Sequence, residues 1–126
     1  MTTTNETVRL AMVTIDCDDA SALAAFYAEL LGWSVVHDDG ATAMIADGAG
    51  PSLGFGHVDG YTRPEWPDTQ GRKQFHLDLD VEDIGGAERR ALTIGAVRPE
   101  FQPGGDKWRV LLDPAGHPFC LAVWGG

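Results

Sequence analysis

The chain reads as a mixed α+β domain in which one strand, one helix and three further strands follow each other twice. Three observations predict this. Residues 74–81 alternate strictly, with Phe75, Leu77, Leu79 and Val81 on one side and Gln74, His76, Asp78 and Asp80 on the other, which is the signature of a strand covered on one face only. Leu23, Phe26, Tyr27, Leu30 and Leu31 recur at helical spacing and form one apolar stripe. Finally, Asp19 and Asp83 are 64 residues apart and Gly32 and Gly95 are 63 apart in a chain of 126, so about half the chain is repeated.

The elements follow in order. Residues 8–17 alternate as a strand, with Met12, Thr14 and Asp16 facing one way and Val13, Ile15 and Cys17 the other. Asp18 or Asp19 then caps the striped helix, and Gly32 ends it in the left-handed conformation that costs glycine little. Strands are expected at 33–37, 41–46 and 53–58, separated by Asp38-Asp39-Gly40 and by the turn-forming run 47–51. Residues 59–72, with Gly60, Pro64, Trp66, Pro67 and Gly71, read as a crossing loop between halves. After the central strand, a weaker helix buries Ile84, Ala87, Ala91 and Leu92 and closes at Gly95, and strands are expected at 97–102, 108–113 and 118–124. The whole chain, 1–126, is thus one domain: module one at about 8–58, the loop at about 59–72 and module two at about 73–124.

Composition narrows the function. An apolar fraction of 44% and a charged fraction of 22% suit a globular domain with its own core. Nine Lys and Arg against nineteen Asp and Glu leave a net charge of -10, which disfavours nucleic acid and anionic membranes as partners. The first residues have neither a basic nor an apolar signal region, and no run approaches the about 20 apolar residues of a spanning helix, so a cytoplasmic location is expected. Cys17 and Cys120 lack metal-motif spacing and sit in apolar runs, where a buried thiol rather than a disulfide is expected.

The paired modules, together with Asp-Ala-Ser-Ala-Leu-Ala-Ala-Phe-Tyr-Ala-Glu-Leu-Leu-Gly-Trp at 19–33, Phe-His-Leu-Asp-Leu at 75–79 and Trp-Arg-Val-Leu-Leu-Asp-Pro-Ala-Gly-His-Pro-Phe-Cys-Leu at 108–121, resemble the glyoxalase and bleomycin-resistance family, the vicinal oxygen chelate superfamily, in its glyoxalase-like branch. The resemblance implies two βαβββ modules that curl into half-barrels around a pocket, often completed in a homodimer. In metal-using members four side chains, from the first and last strand of each module, hold a divalent ion. Carried onto this chain by the repeat spacing, those positions are Met12, His76, about Gly56 (or its neighbours Phe55 and His57) and Cys120. Only His76 is a customary ligand. Thioether and glycine do not build a cage for a hard cation, so no metal and no other cofactor is expected.

Several residues carry the functional expectation. His76 is either a pocket-wall histidine bonded to Asp78, Gln74 or water, or a contact to ligand, or a catalytic or metal-binding group. Cys120 is either a small core residue or a thiol activated by His76. The acidic strand ends mainly cap helices, but Asp16 and Asp78 share a face with Thr14 and His76. Trp66, in a proline-flanked loop, is the candidate lid; Trp33 reads as core; Trp108 and Trp124 divide between core and pocket wall. The favoured function is sequestration of a bulky aromatic or hydrophobic small molecule, by resemblance an antibiotic, with Thr14, His76, Asp78 and Cys120 as polar contacts and Met12, Phe55, Trp66 and Trp108 as walls. The competing reading is a lyase, isomerase or dioxygenase acting on a small metabolite through His76.

Overall fold

The computed structural model describes residue 7 and residues 9–71 and 75–124. Sheet A holds β1 (Met12–Cys17), β2 (Ser34–Asp38), β3 (Thr42–Ala46) and β4 (Ser52–His57) in the order β1-β4-β3-β2, with helix α1 (Ala20–Leu31) between β1 and β2. Sheet B holds β5 (Leu77–Asp80), β6 (Trp108–Leu112) and β7 (Pro118–Ala122) in the order β5-β7-β6, with α2 (Ile84–Thr93) after β5. In each sheet the first strand runs parallel to the last and the remaining pairs are antiparallel. The two tandem modules are therefore present, as sheets that stay open.

Both helices begin as the carboxylates dictate. Asp19 accepts from Ala22 N at 3.0 Å and Asp83 from Gly86 N at 3.2 Å, each in an extended conformation ahead of the first turn. Gly32 ends α1 at φ 72°, with its N–H on Ala28 O. A side chain there meets no neighbour but is strained in the left-handed region, so Gly32→Ala is expected to lower stability by about 1 kcal/mol, read as a denaturation midpoint shift at unchanged slope.

One core serves both modules. Tyr27 and Phe26 of α1 lie between the sheets: Tyr27 stacks on Phe55 of β4 with centroids 5.7 Å apart, and both rings reach Phe119 of β7 at 6.0 Å. Leu23, Ile45, Leu111 and Leu121 complete it. Trp33 packs against this core, as expected from its place after α1.

Four expectations change. The strand at 97–102 does not form; Val97 makes one bridge to Leu112, and the amide of Gln102 then bonds both the N–H and the C=O of Val110 at 2.9 Å. Pro99 and Pro103 explain this, because neither has an N–H to give to a ladder. The central strand begins at Leu77, and Phe75 is 88% exposed rather than covered, while Gln74 lies outside the described residues. On α2, Ala91 is buried and Leu92 stays exposed. The first strand begins at Met12; residue 8 lies outside the described residues.

Candidate functional site

The turn Asp113-Pro114-Ala115-Gly116-His117 between β6 and β7 joins the modules. Asp113 is fully buried, and its carboxylate accepts from Tyr27 Oη at 2.7 Å and from the N–H groups of Ala115 and His117 at 2.9 Å. Burial pushes the Asp113 carboxyl up, against the opposing pull of these donors. Burial also pushes the Tyr27 phenol well up, with the Asp113 charge adding to it. From the crossing loop, Tyr61 Oη donates to Ala115 O at 2.7 Å and Arg63 Nη1 to Pro114 O at 2.8 Å. The Tyr61 phenol is pushed up to about 12, chiefly by burial. His117 reaches back to module one, its Nε2 lying 2.7 Å from Asp16 O, which makes that nitrogen the protonated one.

Beside this turn lies a cavity of about 840 Å³. One wall is β1, from Val13 to Asp16; the opposite wall is Phe75, His76 and Leu77 with His117 and Pro118. The crossing loop adds residues 62–65 and Asp68, and Tyr27 lines it from the core. The size suits a small organic ligand, and most of the wall is apolar.

The proposed site residues divide. Thr14 and His76 line the cavity. Asp78 and Cys120 sit beside His76 on one face of sheet B: Asp78 pairs with Cys120 across the ladder, and His76 Nε2 is 3.4 Å from Asp78 Oδ1. Phe55 is buried under Tyr27 in the core, one layer away from the cavity. Met12 lies along Gly54, and Trp108 lies half-exposed against Gly104. Trp66 donates its indole N–H to Phe101 O at 3.1 Å and lines a separate groove with Pro99 and Phe101, so its ring does not cover the cavity. The cavity residues that sequence reasoning left out include the charged Arg63, Glu65 and Asp68 and the imidazole of His117. The first three fall in the crossing loop, where no periodicity gives a direction to a side chain.

The sheet register revises the repeat. Thr14 stands opposite Gly54 in sheet A, and Asp78 opposite Cys120 in sheet B, so Gly54, not Gly56, is the counterpart of Cys120. A Cβ at Gly54 would lie 2.7 Å from Met12 Sδ and 3.0 Å from Thr14 Oγ1, so the space a ligand side chain would need is filled. The four positions thus hold Met12, Gly54, His76 and Cys120, and they do not fit a hard divalent ion. Among the described residues, His76, Asp78 and Cys120 bring three donor atoms within 4.8 Å of one another, and these are the side chains that could share an ion. Neither cysteine is in a disulfide.

A protein of two tandem βαβββ-like modules, the second with its second strand reduced to a single bridge, and with a cavity between their first strands is the class this geometry defines. Residues 12–122 match the family model for the glyoxalase-like domain, and the chain belongs to that family. Among solved structures it is similar to a glyoxalase-related enzyme from Fulvimarina pelagi, at 22% identity and TM-score 0.67, covering 92% of this chain and 88% of the other. It is also similar to a bleomycin resistance determinant encoded on the transposon Tn5, at 22% identity and TM-score 0.58, covering 94% and 100%. A third likeness is to the bleomycin-binding protein of Streptomyces verticillus in complex with copper(II)-bleomycin, at 14% identity and TM-score 0.58, covering 95% and 99%. These likenesses carry the fold. No curated protein matches the chain. Among the described residues no helix is long and apolar enough to cross a membrane.

Proposed function

We propose that this protein binds a bulky aromatic or hydrophobic small molecule non-covalently, as a sequestering protein of the kind that protects against an antibiotic. The observation that carries this reading is the cavity of about 840 Å³ beside residues whose family ligand positions hold Met12 and Gly54. Two structural relatives are described as a bleomycin resistance determinant and a bleomycin-binding protein, which makes metal-free bleomycin the first ligand to try. A ligand at about a hundred times its Kd stabilises the folded state by about 2.7 kcal/mol, so a thermal shift reads the binding directly. No shift with bleomycin or with a panel of planar natural products would end this reading. The same reading includes a homodimer, supported by the exposed Trp108, Val123 and Trp124 at one end of sheet B, and sedimentation tests it.

The pair His76 and Asp78, at and beside the cavity, favours an enzymatic second reading, a lyase, isomerase or dioxygenase acting on a small metabolite. The two readings separate at one residue. In a binding protein, His76→Ala is expected to weaken ligand affinity by about tenfold, the value of one polar contact, as measured by calorimetry. In an enzyme the same change abolishes turnover.

A further inference from the structure

The cavity wall touches, at His76, a second cluster on the face of sheet B turned away from the core. Leu77 and Leu79 of β5 pack against the core, so alternation puts His76 and Asp78 on the other side, and the 3.4 Å from Nε2 to Oδ1 shows them together there. Cys120 of β7 is the partner of Asp78 across the parallel ladder. It lies between Phe119 and Leu121, which both join the core cluster; Cys120 is buried as well, yet outside that cluster. A residue, the one two places on and the partner on the next strand make a triangle on one face of a sheet. Here the triangle brings one donor atom each from His76, Asp78 and Cys120 within 4.8 Å of one another.

Those donors are a nitrogen, an oxygen and a sulfur, a mixed set that suits a borderline-soft ion and not magnesium or calcium, which take oxygen throughout. Size decides whether they can share one. A tetrahedral zinc ion, with bonds of about 2.0–2.3 Å, holds its ligand atoms about 3.3–3.8 Å apart, so His76 and Asp78 already have that spacing and the widest separation has to close by about 1 Å. Rotation of His76 and Asp78, both exposed, supplies that movement. We infer that His76, Asp78 and Cys120 form a site for zinc or a similar thiophilic divalent ion, with Cys120 bound as the thiolate and its proton passed to solvent. His76 and Cys120 stand at positions the repeat spacing marks, Asp78 does not, and no ligand from module one is required. A three-ligand site on one sheet thus replaces a four-ligand cage between two, and the fourth corner of the tetrahedron falls to a donor from outside the protein. The inference goes beyond the sequestration reading, which stands whether or not an ion binds.

The test uses the untagged full chain, stripped of metal and titrated with Zn²⁺ and with Co²⁺. The expected result is one ion per chain, a Zn²⁺ Kd of about 10 μM or tighter, no competition from Mg²⁺ at about 10 mM, and in the Co²⁺ form the near-ultraviolet charge-transfer band of a thiolate ligand. Asp78→Asn, a change of similar shape on an exposed side chain, is expected to weaken Zn²⁺ on the order of tenfold or more, as is His76→Ala, and Cys120→Ser is expected to remove the band. Should Cys120→Ser not fold, the spectrum of the native chain with Co²⁺ and the affinity of Asp78→Asn decide alone. A weaker Kd in the native chain, or Co²⁺ bound without the band, would overturn the proposal. So would a band that survives Cys120→Ser, which would place the ion at Cys17, or Zn²⁺ affinities within about twofold of the native chain in both Asp78→Asn and His76→Ala. A loss in Met12→Ala as large as in Asp78→Asn would put the ion in a cage between the modules, and the single-sheet site would fall.

Discussion

Asp113→Ala is expected to lower stability by about 3 kcal/mol or more, because one truncation leaves the Tyr27 hydroxyl and two backbone N–H groups buried without an acceptor. Asp113→Asn, which keeps an acceptor, is expected to cost less at neutral pH and to change the pH profile. The sign follows from linkage. Burial raises the Asp113 carboxyl above its unfolded value, so between those two values the folded state binds more protons than the unfolded one. Its contribution to stability is fully present below the unfolded value and is lost as pH rises through the folded one. Asp39 works in the opposite sense: N–H groups of Thr42 and Ala41 hold it at about 2, and its contribution is lost as pH falls toward that value. Urea titrations across this range should therefore show the native chain gaining on Asp113→Asn as pH drops from 7, and parallel profiles would disprove the assignment.

Phe119→Ala is expected to cost about 3–5 kcal/mol, as it empties the point where α1 meets sheet B. Phe75→Ala should stay within about 0.5 kcal/mol, since its ring is out in solvent. Calorimetric melting of the two variants side by side checks both values. In the sequence these phenylalanines look alike, each near the start of an apolar strand run, alternating at 74–81 and continuous at 118–124. What separates them is that sheet B binds its first strand only from Leu77 onward, a tertiary fact with no local signal.

The same contrast runs through the rest of the chain. Asp19, the α1 stripe and Gly32 carry their structure locally, through a cap, a period and a left-handed turn, and each lies where the pattern puts it. The duplication was legible in spacing, yet its ruler missed at the last strand. Gly32 stands 22 residues before Gly54, whereas Gly95 stands 25 before Cys120, so turns of unequal length shift the register. Tyr27 held a signal that periodicity overlooks. A phenol placed in an apolar helix stripe needs a polar partner, and Asp113 is that partner, 86 residues away. His76 was legible as a residue facing polar space; the loop carboxylates around the cavity were not, because a crossing loop has no repeating geometry from which to read direction.

Gln102 has one more consequence. Together with Val97 it satisfies the outer edge of β6 at Val110 and Leu112, and since the second N–H of its amide goes to Pro99 O, the side chain offers no onward row of donors and acceptors. At Val110 and Leu112 an arriving strand would therefore meet backbone groups already bonded, which is how an edge is kept from templating another strand.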